Sequence, residues 1–151
     1  MIASASLGGG HGRAGACVAQ ALAELDPGCE VRCVDLCELS AWWFRGLYMR
    51  GYLLMVRRMP RLWAFLYERP PRRGGGTLPP WVLRRALPGY ERLVREFEPD
   101  VVLSTQITAS EATAALRKRG ALRSKTATVV TDFDPHPAWN TGGIDLFMVA
   151  D

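Results

Sequence analysis

Short apolar runs alternate along this chain with longer stretches in which apolar residues recur every three or four positions. The apolar runs predict strands at residues 2–6, 30–36, 101–105, 125–131 and 145–150, and the longer stretches predict helices at 12–25, 81–97 and 110–119. The second helix should be interrupted at Pro88 and Gly89. Apolar strands separated by helices favour a parallel sheet covered on both faces. We therefore predict an α/β fold, a Rossmann-like parallel sheet flanked by helices.

Composition restricts the class of protein further. The chain has 151 residues, of which 48% are hydrophobic and 23% charged, so it should form one folded domain. No stretch approaches the ~20 apolar residues of a membrane-spanning helix, and no signal peptide is recognisable. The cysteines, Cys17, Cys29, Cys33 and Cys37, form no CxxC pair and are predicted to be small buried thiols in a reducing compartment. The protein is expected in the cytoplasm or peripheral on a membrane.

The positive charge is concentrated in residues 41–73. This segment has eight arginines and one acid, Glu68, for a net charge of +7, whereas the whole chain carries +4 and the remainder therefore −3. Its aromatic and methionine residues follow helical spacing, with arginines on the opposite face, and Pro60 should divide the helix. Aromatic residues with arginines and few acids are typical of a segment at an anionic membrane surface. The residues predicted to face the membrane are Trp42, Trp43, Arg50, Arg57, Arg58, Arg61 and Trp63.

The alternatives to membrane contact for this basic segment are packing within the protein and nucleic-acid binding. Its aromatic face could instead pack on the sheet while its arginines are solvated. A nucleic-acid partner is not predicted, because the chain contains no recognisable nucleic-acid-binding module.

A glycine-rich segment lies between the first predicted strand and helix. Such a turn directs backbone N–H groups of a helix N-terminus toward a phosphate or another anion. Gly10, Gly12 and Gly15 match the spacing G-x-G-x-x-G, and Asp35 follows at a strand end, 20 residues beyond Gly15. This spacing is the dinucleotide-binding fingerprint with its ribose-binding acid, so a dinucleotide site is one hypothesis.

His11, at the centre of the glycines, favours a different chemistry. A dinucleotide-binding loop needs no titratable group at this point. An imidazole has an ordinary pKa of about 6.5, which suits a general base near neutral pH. The alternative is that His11 only caps the helix or binds a carbonyl group.

Three segments together resemble a known family. They are SLGGGHGRA at residues 6–14, EPDVVLST at 98–105 and VVTDFDPHPAW at 129–139. In this order they are similar to the N-terminal domain of monogalactosyldiacylglycerol synthases and of bacterial processive diacylglycerol glucosyltransferases. A more distant similarity is to the peptidoglycan N-acetylglucosaminyltransferase that acts on lipid I. The resemblance covers nearly the whole chain.

The resemblance implies the N-terminal half of a two-domain GT-B fold, which binds the lipid acceptor while a C-terminal domain binds the nucleotide sugar. Transfer in the family is inverting, and His11 matches the histidine at its catalytic cleft. We expect the first strand to be truncated and the donor domain to be absent from residues 1–151, so that the chain alone is inactive. No cofactor is expected. The implied location is peripheral, on the cytoplasmic inner face of a membrane.

The loop after the fourth predicted strand offers further candidates. Asp132, Asp134 and His136 alternate there, which could suggest a metal site. However, prolines stiffen the loop and no further Cys, His or Asp cluster completes a ligand set. We therefore predict a rigid polar wall of the acceptor site rather than a metal site, with Trp139 either lining it or in the core.

The leading hypothesis is transfer of a hexose from a UDP-sugar to the primary hydroxyl of diacylglycerol. His11 would be the base, with Asp132 or Asp134 as an alternative base or as its orienting partner. The substrate-binding residues would be Gly9, Gly10, Gly12, Arg13, His136 and Trp139. The competing hypotheses are a dinucleotide-binding domain and a noncatalytic membrane-binding fragment.

Overall fold

The computed structural model describes residues 1–6, 9–67 and 77–149 and contains a five-stranded parallel sheet. Its strands are β1 (Ile2–Ser4), β2 (Cys33–Asp35), β3 (Val101–Ser104), β4 (Lys125–Val129) and β5 (Leu146–Met148). Their order in the sheet is β2-β1-β3-β4-β5, and every neighbouring pair is parallel. The predicted Rossmann-like α/β fold is therefore confirmed. The strands are shorter than predicted: β1, β3 and β4 begin at the predicted residue but end one or two residues earlier.

Six helices surround this sheet in the described residues. They are α1 (Gly9–Leu25), α2 (Trp42–Arg58), α3 (Pro60–Tyr67), α4 (Pro80–Ala86), α5 (Pro88–Phe97) and α6 (Ile107–Lys118), and a 3-10 turn covers Pro137–Trp139. Helices α3, α4 and α5 each begin at a proline, whose fixed φ angle and missing N–H suit the first helical position. The predicted breaks at Pro60 and Pro88 are thus confirmed.

The start of α1 differs from the prediction. The helix begins at Gly9 rather than near Gly12, so the described glycines form its first turns instead of a preceding loop. Leu7 and Gly8, which complete the predicted loop, lie outside the described residues. Glycine can adopt the φ and ψ angles of a helix. Because its unfolded backbone is more flexible than that of other residues, placing it in a helix carries an entropic cost.

The two faces of the sheet are covered by different helices. On one face, Val18, Ala19 and Leu22 of α1 pack against a small apolar cluster that includes Ile2 and Leu103. Gly15 permits this approach, because an added Cβ would lie 3.3 Å from Cγ2 of Ile2. On the other face lies the larger core, which α4, α5, α6 and the beginning of α2 build over β1 and β3.

Helix α6 is unusually polar for a buried helix. Its buried residues include Thr108, Ser110, Glu111 and Thr113. These side chains have partners: the Thr113 hydroxyl lies 2.7 Å from the Tyr90 hydroxyl, for example, and Glu111 accepts hydrogen bonds from Thr77. Within the described residues, no buried side-chain nitrogen or oxygen lacks a hydrogen bond. The polar helix is therefore tolerated in the core.

The prediction for the cysteines holds only for Cys37, which is buried and whose pKa burial raises to about 11. Cys17, Cys29 and Cys33 are exposed. Cys17 lies on the outer side of α1, and Cys33 belongs to the edge strand β2. An edge strand leaves its outer side open to solvent, and the alternation of apolar residues does not reveal which strand is at the edge.

Candidate functional site

The predicted site residues gather at the carboxyl edge of the sheet. The chain leaves β1 toward β2 on one side, whereas β3 leads to β4 and β5 on the other. A crevice forms where the strand order reverses in this way, and it is the usual ligand site of open α/β sheets. His11, at the beginning of α1, lies beside this reversal and reaches the ends of both β3 and β4.

Two threonines hold the half-buried His11 ring. Its Nδ1 atom is 2.9 Å from the carbonyl oxygen of Thr105 and 2.8 Å from Oγ1 of Thr131. Because a carbonyl oxygen can only accept, Nδ1 must carry the proton and donate it. The other ring nitrogen, Nε2, then retains its lone pair. His11 does bind a carbonyl group, as one alternative proposed, but this contact leaves a basic nitrogen available.

Thr105 also holds the backbone of His11. Its Oγ1 donates a 2.9 Å hydrogen bond to the His11 carbonyl oxygen, and the Thr105 side chain is fully buried. The histidine is therefore fixed at both its ring and its backbone by one residue. Sequence reasoning missed Thr105 and Thr131, although they are the last residues of two predicted strands, where the ends of parallel strands meet.

Trp139 connects the loop after β4 with His11. It is 3% exposed, its ring centroid lies 6.3 Å from that of His11, and its Nε1 donates a 2.7 Å hydrogen bond to Asp132. Trp139 was predicted either to line the acceptor site or to lie in the core. Its side chain is buried and also borders His11. The Asp132 carboxylate is half-buried and held by this tryptophan, while the groups that orient the His11 ring are Thr105 and Thr131.

The remaining loop residues have different surroundings. Asp134 is exposed, and so is Phe133 before it. His136 begins the 3-10 turn, and its Nδ1 accepts a 3.1 Å hydrogen bond from the N–H of Ala138. This contact stiffens the loop in addition to its prolines. Substrate binding by His136 and catalysis by Asp134 stay predictions.

The first turn of α1 presents an open, electropositive surface. An added Cβ at Gly9, Gly10 or Gly12 would meet no atom of the described residues within 4 Å, and Arg13 is exposed. The first four N–H groups of a helix have no partner within it, and they carry the positive end of the helix dipole. No acidic residue lies in this turn to compensate them. The surface therefore suits an anionic group.

The carboxylate of Asp35, at the end of β2, is occupied by hydrogen bonds within the domain. Its Oδ1 accepts hydrogen bonds from the backbone N–H groups of Ser6, at 3.1 Å, and Cys37, at 2.8 Å. Its Oδ2 accepts a further hydrogen bond from the Ser6 hydroxyl. The carboxylate thus ties the ends of β1 and β2 together. Its engagement weakens the dinucleotide hypothesis.

Residues 42–67 of the basic aromatic segment contain α2 and α3, and the beginning of α2 packs on the domain. Phe44 is buried and stacks on Tyr48 with 4.9 Å between ring centroids, and the Tyr48 hydroxyl lies 2.9 Å from Oγ1 of Thr108 on α6. Two residues of the predicted aromatic and methionine face have different surroundings: Tyr48 packs inward, whereas Met59, directly after α2, is 48% exposed.

The rest of α2 and α3 exposes apolar and basic side chains together. Trp42 is 83% exposed, and Leu47, Leu54 and Phe65 are more than half exposed. The predicted membrane-facing arginines, Arg50, Arg57, Arg58 and Arg61, are exposed as well. The side chain of Trp63 and all of residues 68–76, which include three of the arginines, lie outside the described residues. Exposed apolar side chains grouped in this way mark an interaction surface.

A comparison with protein families agrees with this geometry. The family model described as Monogalactosyldiacylglycerol (MGDG) synthase matches residues 11–151, from the site histidine to the last residue. The chain belongs to this family. The resemblance based on the three sequence motifs is thereby confirmed. Comparisons with curated proteins and with solved structures each gave no significant match.

MGDG synthase family membership makes the chain part of a glycosyltransferase of glycolipid synthesis. Such an enzyme needs a lipid acceptor and a sugar-nucleotide donor. Within the described residues, no helix has the length and apolar character required to cross a bilayer.

Proposed function

We propose that this chain is the acceptor-binding N-terminal half of an inverting GT-B hexosyltransferase, which transfers a hexose from a UDP-sugar to diacylglycerol. The observation that carries the proposal is the state of His11: its Nδ1 donates to the Thr105 carbonyl, so its Nε2 can accept a proton. The donor-binding half lies outside residues 1–151 in this proposal, and the chain alone has no turnover.

The reaction requires a base. The primary hydroxyl of diacylglycerol attacks the anomeric carbon of the hexose from the face opposite the diphosphate, and its proton passes to His11 Nε2. The new bond joins that hydroxyl oxygen to the anomeric carbon, while the bond from this carbon to the UDP oxygen breaks and UDP takes the electron pair. The Thr105 carbonyl stabilises the imidazolium that forms, because it accepts from Nδ1. Asp132 or Asp134 is the base if His11 is not.

The first turn of α1 supports the departure of UDP. Negative charge develops on the diphosphate as its bond to the sugar breaks, and exposed N–H groups at Gly9, Gly10 and Gly12 are suited to that charge. Arg13 adds a formal positive charge on the same turn. His136 and Trp139 line the acceptor side in this proposal.

The acceptor reaches the site from a membrane. Residues 42–67 contain five arginines and no acidic residue. Each basic residue near an anionic surface contributes ~1 kcal/mol to binding, and the exposed apolar side chains add burial at the interface. The proposed location is the cytoplasmic face of the membrane, with α2 and α3 in contact with anionic lipid.

The base is tested in an enzyme that contains both halves. His11→Gln retains an N–H donor for the Thr105 carbonyl but has no basic nitrogen, so it should lower turnover at least a hundredfold. The Kd for the UDP-sugar should stay nearly unchanged. Retained turnover would remove His11 from the role, and Asp132→Asn and Asp134→Asn would then be compared.

The membrane contact is tested by sedimentation with phosphatidylglycerol vesicles. Changing Arg50, Arg57, Arg58 and Arg61 to Glu should abolish binding at moderate salt concentration. The matched control changes the exposed residues Arg84, Arg85, Arg92 and Arg123 to Glu, which alters the net charge equally outside the segment. If both variants bind equally, α2 and α3 are not the membrane contact. A parallel titration with NAD(P) tests the dinucleotide hypothesis, and saturable tight binding would favour it.

A further inference from the structure

The first turns of α6 join the basic aromatic segment to the histidine. The Tyr48 hydroxyl, on α2, lies 2.9 Å from Oγ1 of Thr108, in the first turn of α6. Gln106, the residue before α6, directs its Nε2 to the same Oγ1 at 3.4 Å. Thr105, the next residue back, makes one hydrogen bond to the His11 ring and another to the His11 backbone. A short and continuous series of contacts therefore runs from α2 to the His11 ring.

This series is buried and leaves little freedom at each step. Thr105 is fully buried, and Gln106 and Thr108 are 8% and 4% exposed. The Gln106 side chain also caps α6, because its Oε1 accepts a 3.2 Å hydrogen bond from the N–H of Ala109. A displacement of Tyr48 is therefore passed to the start of α6 rather than absorbed by a loose side chain, since buried polar groups must keep their partners.

The same helix also holds the chain beyond the segment, at Thr77. Glu111, one turn after Thr108, is 3% exposed and accepts hydrogen bonds from the N–H and the hydroxyl of Thr77, at the beginning of the chain that leads into α4. Tyr48, within α2, and Thr77, in the chain that leads into α4, are thus attached to one turn of α6.

We infer that Tyr48 is a positioning residue, through which contact of α2 and α3 with a lipid surface sets the placement of the His11 ring. The inference rests on the proposed function, because it assumes that α2 and α3 meet the membrane. Its consequence is that membrane contact and the geometry of the base are coupled, and that the Tyr48–Thr108 hydrogen bond carries the coupling.

The test observes His11 directly in the 151-residue chain and requires no turnover. The chain has only two histidines, so two imidazole signals appear in a ¹H–¹³C NMR spectrum, and His136→Gln assigns them. Anionic phosphatidylglycerol nanodiscs should shift the His11 signal at constant pH. In Tyr48→Phe the discs should still bind, but most of this shift should be lost.

Tyr90→Phe is the matched control. It removes another tyrosine hydroxyl that meets a threonine on α6, at 2.7 Å from Thr113, but Tyr90 lies on α5 and not in the segment. Tyr90→Phe should keep the full shift of the His11 signal even if it lowers stability. The proposed link between Tyr48 and His11 is supported if Tyr48→Phe loses the shift of the His11 signal while Tyr90→Phe keeps it.

Three outcomes oppose the inference and are distinguishable. If the nanodiscs do not bind the wild-type chain, the membrane role fails and the link with it. If they bind without moving the His11 signal, the membrane role stands and the link is refuted. If Tyr48→Phe retains the shift, or if Tyr90→Phe loses it equally, the Tyr48–Thr108 hydrogen bond is not the carrier. In the two-domain enzyme, Tyr48→Phe should lower turnover on vesicle-borne diacylglycerol several-fold relative to a soluble short-chain diacylglycerol, and Tyr90→Phe should leave that ratio unchanged.

Discussion

Replacement of Thr131 by valine tests how His11, the proposed base, is oriented. Thr131 Oγ1 lies 2.8 Å from His11 Nδ1, and the Thr105 carbonyl lies 2.9 Å from the same atom. Valine has nearly the shape of threonine but cannot accept the hydrogen bond. The perturbation therefore removes one of the two acceptors of the Nδ1 proton and leaves the other in place.

The size of the effect follows from this geometry. A neutral hydrogen bond contributes about 1 kcal/mol net, which corresponds to about a fivefold change in rate if all of it is used to hold the ring in its reactive orientation. The Thr105 carbonyl still accepts from Nδ1, so the tautomer should not change. Thr131→Val should therefore lower turnover about fivefold, and Thr131→Ser, which retains the hydroxyl, should behave like the wild type.

Two measurements check this reasoning. In the two-domain enzyme, kcat is compared for the two variants at saturating acceptor. In the isolated chain, ¹⁵N NMR identifies which ring nitrogen of His11 carries the proton. If the neutral ring carries its proton on Nε2 in the wild-type chain, the assignment of Nε2 as the base is refuted. A hundredfold loss in Thr131→Val would show that Thr131, rather than Thr105, controls the tautomer.

Two further predictions concern stability, measured as the free energy of unfolding in urea. Gly89→Ala should destabilise the chain by about 1–3 kcal/mol, because its Cβ would lie 2.7 Å from the carbonyl oxygen of Leu39. Gly12→Ala should instead stabilise the chain by about 0.5–1 kcal/mol, because a Cβ at this position of α1 meets open space. Equal effects would refute this reading of the packing. Burial raises the folded-state pKa of Glu111 above its ordinary value of 4.5, so the folded chain binds more protons at this carboxyl group than the unfolded chain. The stability of the wild type relative to Glu111→Gln should therefore fall as pH rises from 4.5 through the raised pKa. An opposite slope, or none, would contradict the burial argument.

The local pattern was sufficient for much of the fold. Apolar runs identified all five strands, and Pro60 and Pro88 marked helix starts because a proline at these positions cannot continue a helix. The three sequence motifs together led to the correct family. These features depend on neighbouring residues along the chain, so the sequence alone reveals them.

The function of individual polar residues depended on contacts between distant parts of the chain. Asp35 has the sequence position of a ribose-binding acid, yet its carboxylate is used by Ser6 and Cys37. Tyr48 belongs to the predicted aromatic face, for which membrane contact and packing on the protein were both possible, and it packs inward against α6. Sequence spacing specifies which face of a helix a residue occupies. It does not specify whether that face packs on the rest of the protein or contacts a membrane.

The sequence by itself determined the α/β class, the family and the presence of a histidine suited to be a base. Only the tertiary structure decided which nitrogen of that histidine is basic. The carbonyl of Thr105 lies 94 residues away from His11, and the hydroxyl of Thr131 lies 120 residues away. The sheet brings them together because β1, β3 and β4 are parallel neighbours whose carboxyl ends meet at one edge. The imidazole is a property of the residue, whereas its tautomer is a property of the fold.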